Sequence, residues 1–330
     1  MALKTLTLTA AALGLGAALT GVAASKRAAA AVEDFPPLGE FVELDAGRVH
    51  YVRKGTGPEV VLIHGAGGNL REFTFDLMDR LSDRYTVTAF DRPGLGYTDP
   101  APGSETSAFG REGASPVAQA LMLREASETL GITSPVLVGH SYGGIVSMAW
   151  AVAALDSESP ANPAAVVSLG GVLMPWPGGL GAYYTVNGHP FGGMITIPLI
   201  SALVSDGYVK ASVDNIFAPQ DPPEGYLDYI GAPLTIRPAS FRANVRQVNT
   251  LRPHVVDLAA RYPDLTLPVE ILHGTEDTIV PDAIHPAGFV PLVPSANWEK
   301  LEGVGHMPHH ADPEATVAAI DRAATRAGLR

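Results

Sequence analysis

Cysteine is missing altogether from the 330 residues. Its absence excludes disulfide staples, thiolate metal ligands and a cysteine nucleophile, and it suits any cellular compartment. Basic residues are scarce as well. There are 22 Lys and Arg against 34 Asp and Glu, a net charge of −12 and a pI of about 5.2. On that balance no nucleic-acid partner is expected. No internal repeat is visible. What the chain does have is apolar mass: 46% of its residues are hydrophobic, enough for one large core or a core with an inserted subdomain.

Charge is also absent from Thr5 to Ser25, between Lys4 on one side and Lys26-Arg27 on the other. Two readings fit. One is an export signal, with Val22-Ala23-Ala24 as a small-residue cleavage site. The other is a retained membrane anchor, since about 20 apolar residues can span a bilayer. Both put the protein outside the cytoplasm or on a membrane: periplasmic, extracellular or anchored, with membrane association through residues 5–25. A third reading, a helix buried in the domain, is disfavoured by the polar-poor stretch Ala28 to Pro37, which reads as a linker ending in Pro36-Pro37. Residues 1–34 are therefore set apart as signal or anchor plus linker.

Beyond it, strands and helices alternate. Phe41–Leu44 and Val49–Val52 read as a hairpin turning through Asp45-Ala46-Gly47. Glu59–Ile63 is a β-branched run of the kind buried on both faces. A helix is expected over Leu70–Leu81 with Asn69 as its cap, a strand over Tyr85–Phe90, and a helix from Ser115-Pro116 to Leu130, stopped at Gly131. Further strands fit Val136–His140, Ala165–Leu169, Leu267–Gly274 and Trp298–Leu301, with helices at Gly143–Leu155 and Pro313–Ala327. That alternation implies a mostly parallel sheet covered by helices on both faces.

The most informative stretch is Gly139-His140-Ser141-Tyr142-Gly143, a G-x-S-x-G nucleophile elbow between a strand and a helix. A reversal this tight strains the Ser backbone and leaves no room for Cβ atoms at the flanking positions. It lifts the hydroxyl off the sheet edge, over a helix N-terminus that favours developing negative charge. At the end of the Glu59–Ile63 strand, His64-Gly65-Ala66-Gly67-Gly68 can present main-chain N–H groups. The N–H groups of Ala66 and Tyr142 are the expected oxyanion hole. His64 reads as a structural support, and Asp91, in Asp91-Arg92-Pro93-Gly94-Leu95-Gly96, as a carboxylate that ties down a turn.

Taken together, Leu62-Ile63-His64-Gly65, Asp91 to Gly96 and Gly139 to Gly144 resemble the α/β-hydrolase fold superfamily, over nearly all of the chain after about Phe41 apart from a middle insert. The resemblance implies an α/β fold with core segments 35–174 and 252–330, and a cap or lid at 175–251. That insert is rich in Pro, Gly and aromatics, including Trp176, Tyr183, Tyr184, Phe191, Phe217, Tyr226 and Tyr229. Its composition suits a small-molecule substrate with a substantial apolar part, although for any one of these aromatics a place in the cap's own small core is the more expected reading. Arg237 and Arg242 are charged candidates for facing the site.

Asp277 matches the family's acid, which follows a Gly by three positions (here Gly274). Glu276 is the competing carboxylate and by the same pattern points away. No acid follows the preceding strand, at Gly170 to Met174. His306 matches the G-x-G-H of the family's base loop, and the order Ser141, Asp277, His306 is that of the fold. A serine hydroxyl needs an imidazole to take its proton, and the imidazole needs a carboxylate to fix its tautomer and stabilise its cation. The expected activity is a serine hydrolase working through an acyl-enzyme on an ester, without cofactor or metal. A cofactor-free perhydrolase or haloperoxidase, or a carbon–carbon bond hydrolase, would use the same three groups. A non-catalytic binding module, or a metal hydrolase built on His306 and His309, is disfavoured. A serine at the elbow argues against dehalogenase and epoxide hydrolase chemistry, which needs an Asp nucleophile.

Overall fold

The computed structural model describes residues 2–330, with side chains described from residue 16 onward. Eight strands form one sheet: β1 (Glu40–Leu44), β2 (Gly47–Lys54), β3 (Glu59–Ile63), β4 (Thr86–Phe90), β5 (Val136–His140), β6 (Ala165–Leu169), β7 (Val269–Gly274) and β8 (Ala296–Leu301). Their spatial order is β1-β2-β4-β3-β5-β6-β7-β8. The β1–β2 and β2–β4 pairs are antiparallel and the rest are parallel.

Alternation along the strands sends side chains to two separate cores. Val61, Ile63 and Leu137 meet one set of helices. Val60, Leu62 and Val138 meet the other. On the first face lie α4 (Pro116–Thr129) and α5 (Tyr142–Ala154), with Trp150 fully buried. The second face carries α2 (Arg71–Thr74), α3 (Leu77–Leu81) and α15 (Pro313–Arg326). Ser115 caps α4 by accepting the Ala118 N–H, and Pro116 fills the first position, whose N–H has no acceptor within the helix.

The single helix expected over Leu70–Leu81 is instead two short ones. Asp76 leaves helical geometry (φ −152°, ψ −52°), and the Phe75 ring turns out to pack on Tyr226, Tyr229 and His310. Aromatic burial across the fold outweighs local helix continuity here. Asn69 still serves the first turn by accepting the Arg71 N–H, while its amide reaches the Ile230 carbonyl.

Between β6 and β7 the chain is helical: α6 (Ala182–Gly188), α7 (Pro190–Leu203), α8 (Asp206–Phe217), α9 (Tyr226–Tyr229), α10 (Ala232–Ile236), α11 (Pro238–Asn249) and α12 (Leu251–Ala259). After β7, α13 (His285–Phe289) precedes β8, and α14 (Pro308–Ala311) follows it. The stretch read as a linker from Ala28 is not one. A continuous helix, α1 (Ala2–Asp34), runs through it, and only the residues from Phe35 to Gly39 are irregular. Alanine's high helix propensity explains the continuation. Ala24 and Ala31 are buried, and Arg27 donates to the Ala202 and Val204 carbonyls at the end of α7. Among the described residues no single helix is long and apolar enough to cross a membrane; α7 and α8 pass that test only as a pair bent by 104°.

The close approach of α5 to β3 holds the elbow. A Cβ at Gly143 would overlap the Ile63 carbonyl, and one at Gly139 would overlap the Gly143 carbonyl. Both obstacles are main chain and cannot move aside. Gly143→Ala is therefore expected to lower stability by about 3 kcal/mol or more, read as a reduced urea midpoint at unchanged slope. An unchanged midpoint would show that the approach is looser than this.

Candidate active site

Ser141 sits at the end of β5 with φ 52° and ψ −116°, a positive φ that non-glycine residues adopt only when held there. Main-chain bonds hold it: its N–H donates to the Leu169 carbonyl, and its own carbonyl accepts from Gly144 and Val172. The side chain points at the loop after β8. His306 Nε2 lies 2.9 Å from Ser141 Oγ, and His306 Nδ1 lies 2.7 Å from Asp277 Oδ2. All three residues are buried. The structure thus brings together three residues far apart in the chain.

Asp277 is fixed on its other side, where Oδ1 accepts the Ile279 and Val280 N–H groups at 2.9 and 2.8 Å. Burial pushes its carboxyl up, but His273 at 3.3 Å, His306 and the Val280 N–H together hold it well below the usual carboxylate range. It is an anion with its charge directed at the imidazole. Glu276 is exposed and plays no part in the contact.

Tyr142 is the first residue of α5, so its N–H has no acceptor within the helix. Ala66 lies in the turn after β3, and that turn is held from several directions. Gly67 N–H donates to Asn244 Oδ1 at 2.7 Å, and Thr235 Oγ1 donates to the Gly67 carbonyl. Arg92 Nη1 reaches the Gly65 carbonyl at 2.9 Å. Arg92 is fully buried, stacked 3.9 Å from the Tyr142 ring centroid and bonded to Gln119 and Gln247; burial pushes its guanidinium down to about 10. Asp91 ties the neighbouring turn, accepting from Leu70 N, Tyr97 N and His50 Nδ1. His64 accepts the Arg92 N–H and serves as a support.

Several residues that sequence reasoning passed over hold these loops. Asn244, Thr235 and Gln247 come from the insert, as does Gln220, whose side chain bonds Gly305 N–H and the Gly303 carbonyl of the His306 loop. His140 Nε2 meets the His306 carbonyl at 3.0 Å. Only the odd pairing of polar side chains with an apolar insert hinted at them. Neither of the two arginines singled out from sequence contacts the serine. Arg237 is spent on the Leu234 and Gly96 carbonyls and Ser240. Arg242 makes one bond of 3.4 Å to the Pro238 carbonyl, and its buried Nε has no partner. The insert's aromatics divide: Phe217 and Tyr226 are buried with Ile230 and Met307, Tyr183 stacks on Phe241, and Phe191 is exposed.

A His306–His309 metal pair is not formed, because His306 faces Ser141 and Asp277. Among the described residues, Glu72, His309 and His310 are the group whose potential ligand atoms converge, within 4.8 Å of one another. They already bond directly, at 2.9 and 2.6 Å. Ligands around a zinc at about 2.1 Å would stand about 3.4 Å apart, so the group fits shared protons better than a metal.

Burial pushes His64, His285 and His309 down to about 4, and holds His140 low as well. In the unfolded chain each returns to about 6.5, so between these values the unfolded state binds more protons and stability falls with falling pH. Each histidine contributes a slope of about 1.4 kcal/mol per pH unit in that window. Urea midpoints are expected to decline steadily from pH 6.5 to pH 4.5; a flat profile would show that these imidazoles take up protons without unfolding.

The sequence profile of the alpha/beta hydrolase family matches residues 60–319. A 2-(acetamidomethylene)succinate hydrolase of Mesorhizobium japonicum is 28% identical, with 84% of this chain and 92% of that one aligned. Among solved structures, a putative aryl esterase from Burkholderia cenocepacia superposes with TM-score 0.68 at 21% identity over 88% of this chain and 99% of its own. A bacterial membrane phospholipase A superposes with TM-score 0.64 at 19% identity, covering 100% of this chain and 99% of its own. With the profile spanning most of its length, the chain belongs to the alpha/beta hydrolase family.

Proposed function

We propose that the chain is a serine ester hydrolase in which Ser141 is the nucleophile, His306 the base and Asp277 the group that orients it. The observation that carries this reading is the bridging imidazole, hydrogen-bonded at once to the Ser141 hydroxyl and the Asp277 carboxylate. In the first step His306 Nε2 takes the Ser141 proton as Oγ attacks the ester carbonyl. The negative oxygen is met by the Ala66 and Tyr142 N–H groups. His306 then passes its proton to the departing alkoxide, leaving an acyl-serine. Water, deprotonated by the same imidazole, releases the acid. Every group needed is supplied by the chain's own side chains and amides, so the reading requires no cofactor.

The substrate proposed is an ester with a substantial apolar part, met near a lipid surface. Support comes from α7, which carries no charged residue and exposes Phe191, Ile195, Leu199 and Leu203 at a spacing of four, one face of a helix. Leu19 and Val22 of the neighbouring α1 are exposed too. In this reading residues 5–25 are the membrane-directed element and the helices from α6 to α11 form the lid. The side chains of residues 5–15 lie outside the described residues.

The test uses p-nitrophenyl esters from acetate to palmitate. Ser141→Ala is expected to abolish turnover and labelling by a fluorophosphonate, and Asp277→Asn to cut kcat about 10⁴-fold. Rates should rise with acyl length. Ser141→Ala that kept most of the wild-type rate would end the reading. Turnover of a β-diketone or peroxide formation, with no ester hydrolysis, would move the same three groups to another reaction.

A further inference from the structure

Beyond the residues that act on substrate, one buried carboxylate stands out. Glu72 is 6% exposed and accepts three hydrogen bonds. His309 Nε2 and His310 Nε2 reach its Oε1 at 2.9 and 2.6 Å, and the Tyr226 hydroxyl reaches Oε2 at 2.8 Å. Enclosing an ionised carboxylate costs several kcal/mol unless donors replace the lost water. An apolar residue on α2 would avoid that cost.

The origin of the donors suggests what the carboxylate does. Glu72 lies on α2, directly after the turn that carries Ala66. His309 and His310 lie on α14, directly after His306. Tyr226 lies on α9 of the insert. The Ala66 turn follows β3 and the His306 loop follows β8, and these strands are separated in the sheet by β5, β6 and β7. Strand pairing therefore fixes their spacing only through three intervening strands. The hydrogen bonds at Glu72 join them directly. A second link runs from the same point: the His309 ring lies 4.6 Å from that of His140, and His140 Nε2 holds the His306 carbonyl.

We propose that Glu72 is a positioning residue that locks the His306 loop, the Ala66 turn and the insert in register by receiving His309, His310 and Tyr226 at one carboxylate. The inference rests on the hydrolytic reading of Ser141 and His306. Glu72 touches no reacting atom and acts only through the loops it joins. Catalytic groups must be held to within about 0.5 Å, so slack between these loops costs turnover rather than binding.

The test compares Glu72→Leu, Glu72→Gln and Tyr226→Phe with p-nitrophenyl butyrate, well below the melting temperature of each. Glu72→Leu removes every acceptor and is expected to lower kcat on the order of 10- to 100-fold, with KM within about twofold of wild type. Glu72→Gln keeps an acceptor oxygen for the two imidazoles and should recover most of that loss. Tyr226→Phe frees only the insert, deletes a single hydroxyl and folds even if Glu72→Leu does not; it should lower kcat a few-fold with KM unchanged. Wild-type kcat in a folded Glu72→Leu would overturn the proposal, as would wild-type kcat in Tyr226→Phe where Glu72→Leu does not fold. So would a loss seen in KM alone. A rise in melting temperature on adding one equivalent of Zn²⁺ to the wild type, absent in Glu72→Gln, would overturn it in favour of a metal site. The two readings fail separately: an active Ser141→Ala sinks the hydrolytic one, and an inactive Ser141→Ala beside a wild-type Glu72→Leu sinks this one alone.

Discussion

The contact on which the rest of the molecule depends is the one between α5 and the end of β3. Gly143 lies so close to the Ile63 carbonyl that no side chain fits between them. That approach sets the sharpness of the turn from β5 into α5, and the turn sets the backbone of Ser141 at φ 52°. The strain is stored locally and is held by a fully buried β-branched core on both sides of the sheet. Relaxing it would tilt the hydroxyl away from the imidazole.

Around that fixed point, the remaining parts of the site are loops, and loops are placed by what holds them. Asp277 is set by two main-chain N–H groups and two histidines. The Ala66 turn is set by Arg92 from the core and by Asn244 and Thr235 from the insert. The His306 loop is set by Gln220 and by His140. The insert is therefore part of the scaffold of the site. Hydrogen bonds between buried polar groups rigidify their surroundings, and here they join segments that the sheet leaves apart.

Most of the sheet was legible in the sequence for a simple reason. β3, β5, β6 and β7 are buried on both faces, and short β-branched runs ending in glycine have few other uses. The β1–β2 hairpin was legible from its turn residues. The expected helix over residues 70–81 was broken because Phe75 is claimed by aromatics distant in the chain, which no local pattern encodes. The stretch after Ala28 reads as a linker from Pro36-Pro37 at its end, but its alanine-rich run continues the helix as far as Asp34.

The chain by itself determined the fold family, the identity of the serine at the elbow and the order of Asp277 and His306 after it. Each of these is written in short range: a glycine two positions away, a strand before, a helix after. Only the tertiary structure decided which histidines face which carboxylates. His306 meets Asp277, His309 and His310 meet Glu72, and His50 meets Asp91. Ten histidines carry the same donor and acceptor atoms. Their partners follow from where each strand ends in space, and that is fixed by sheet order and burial rather than by neighbours in the sequence.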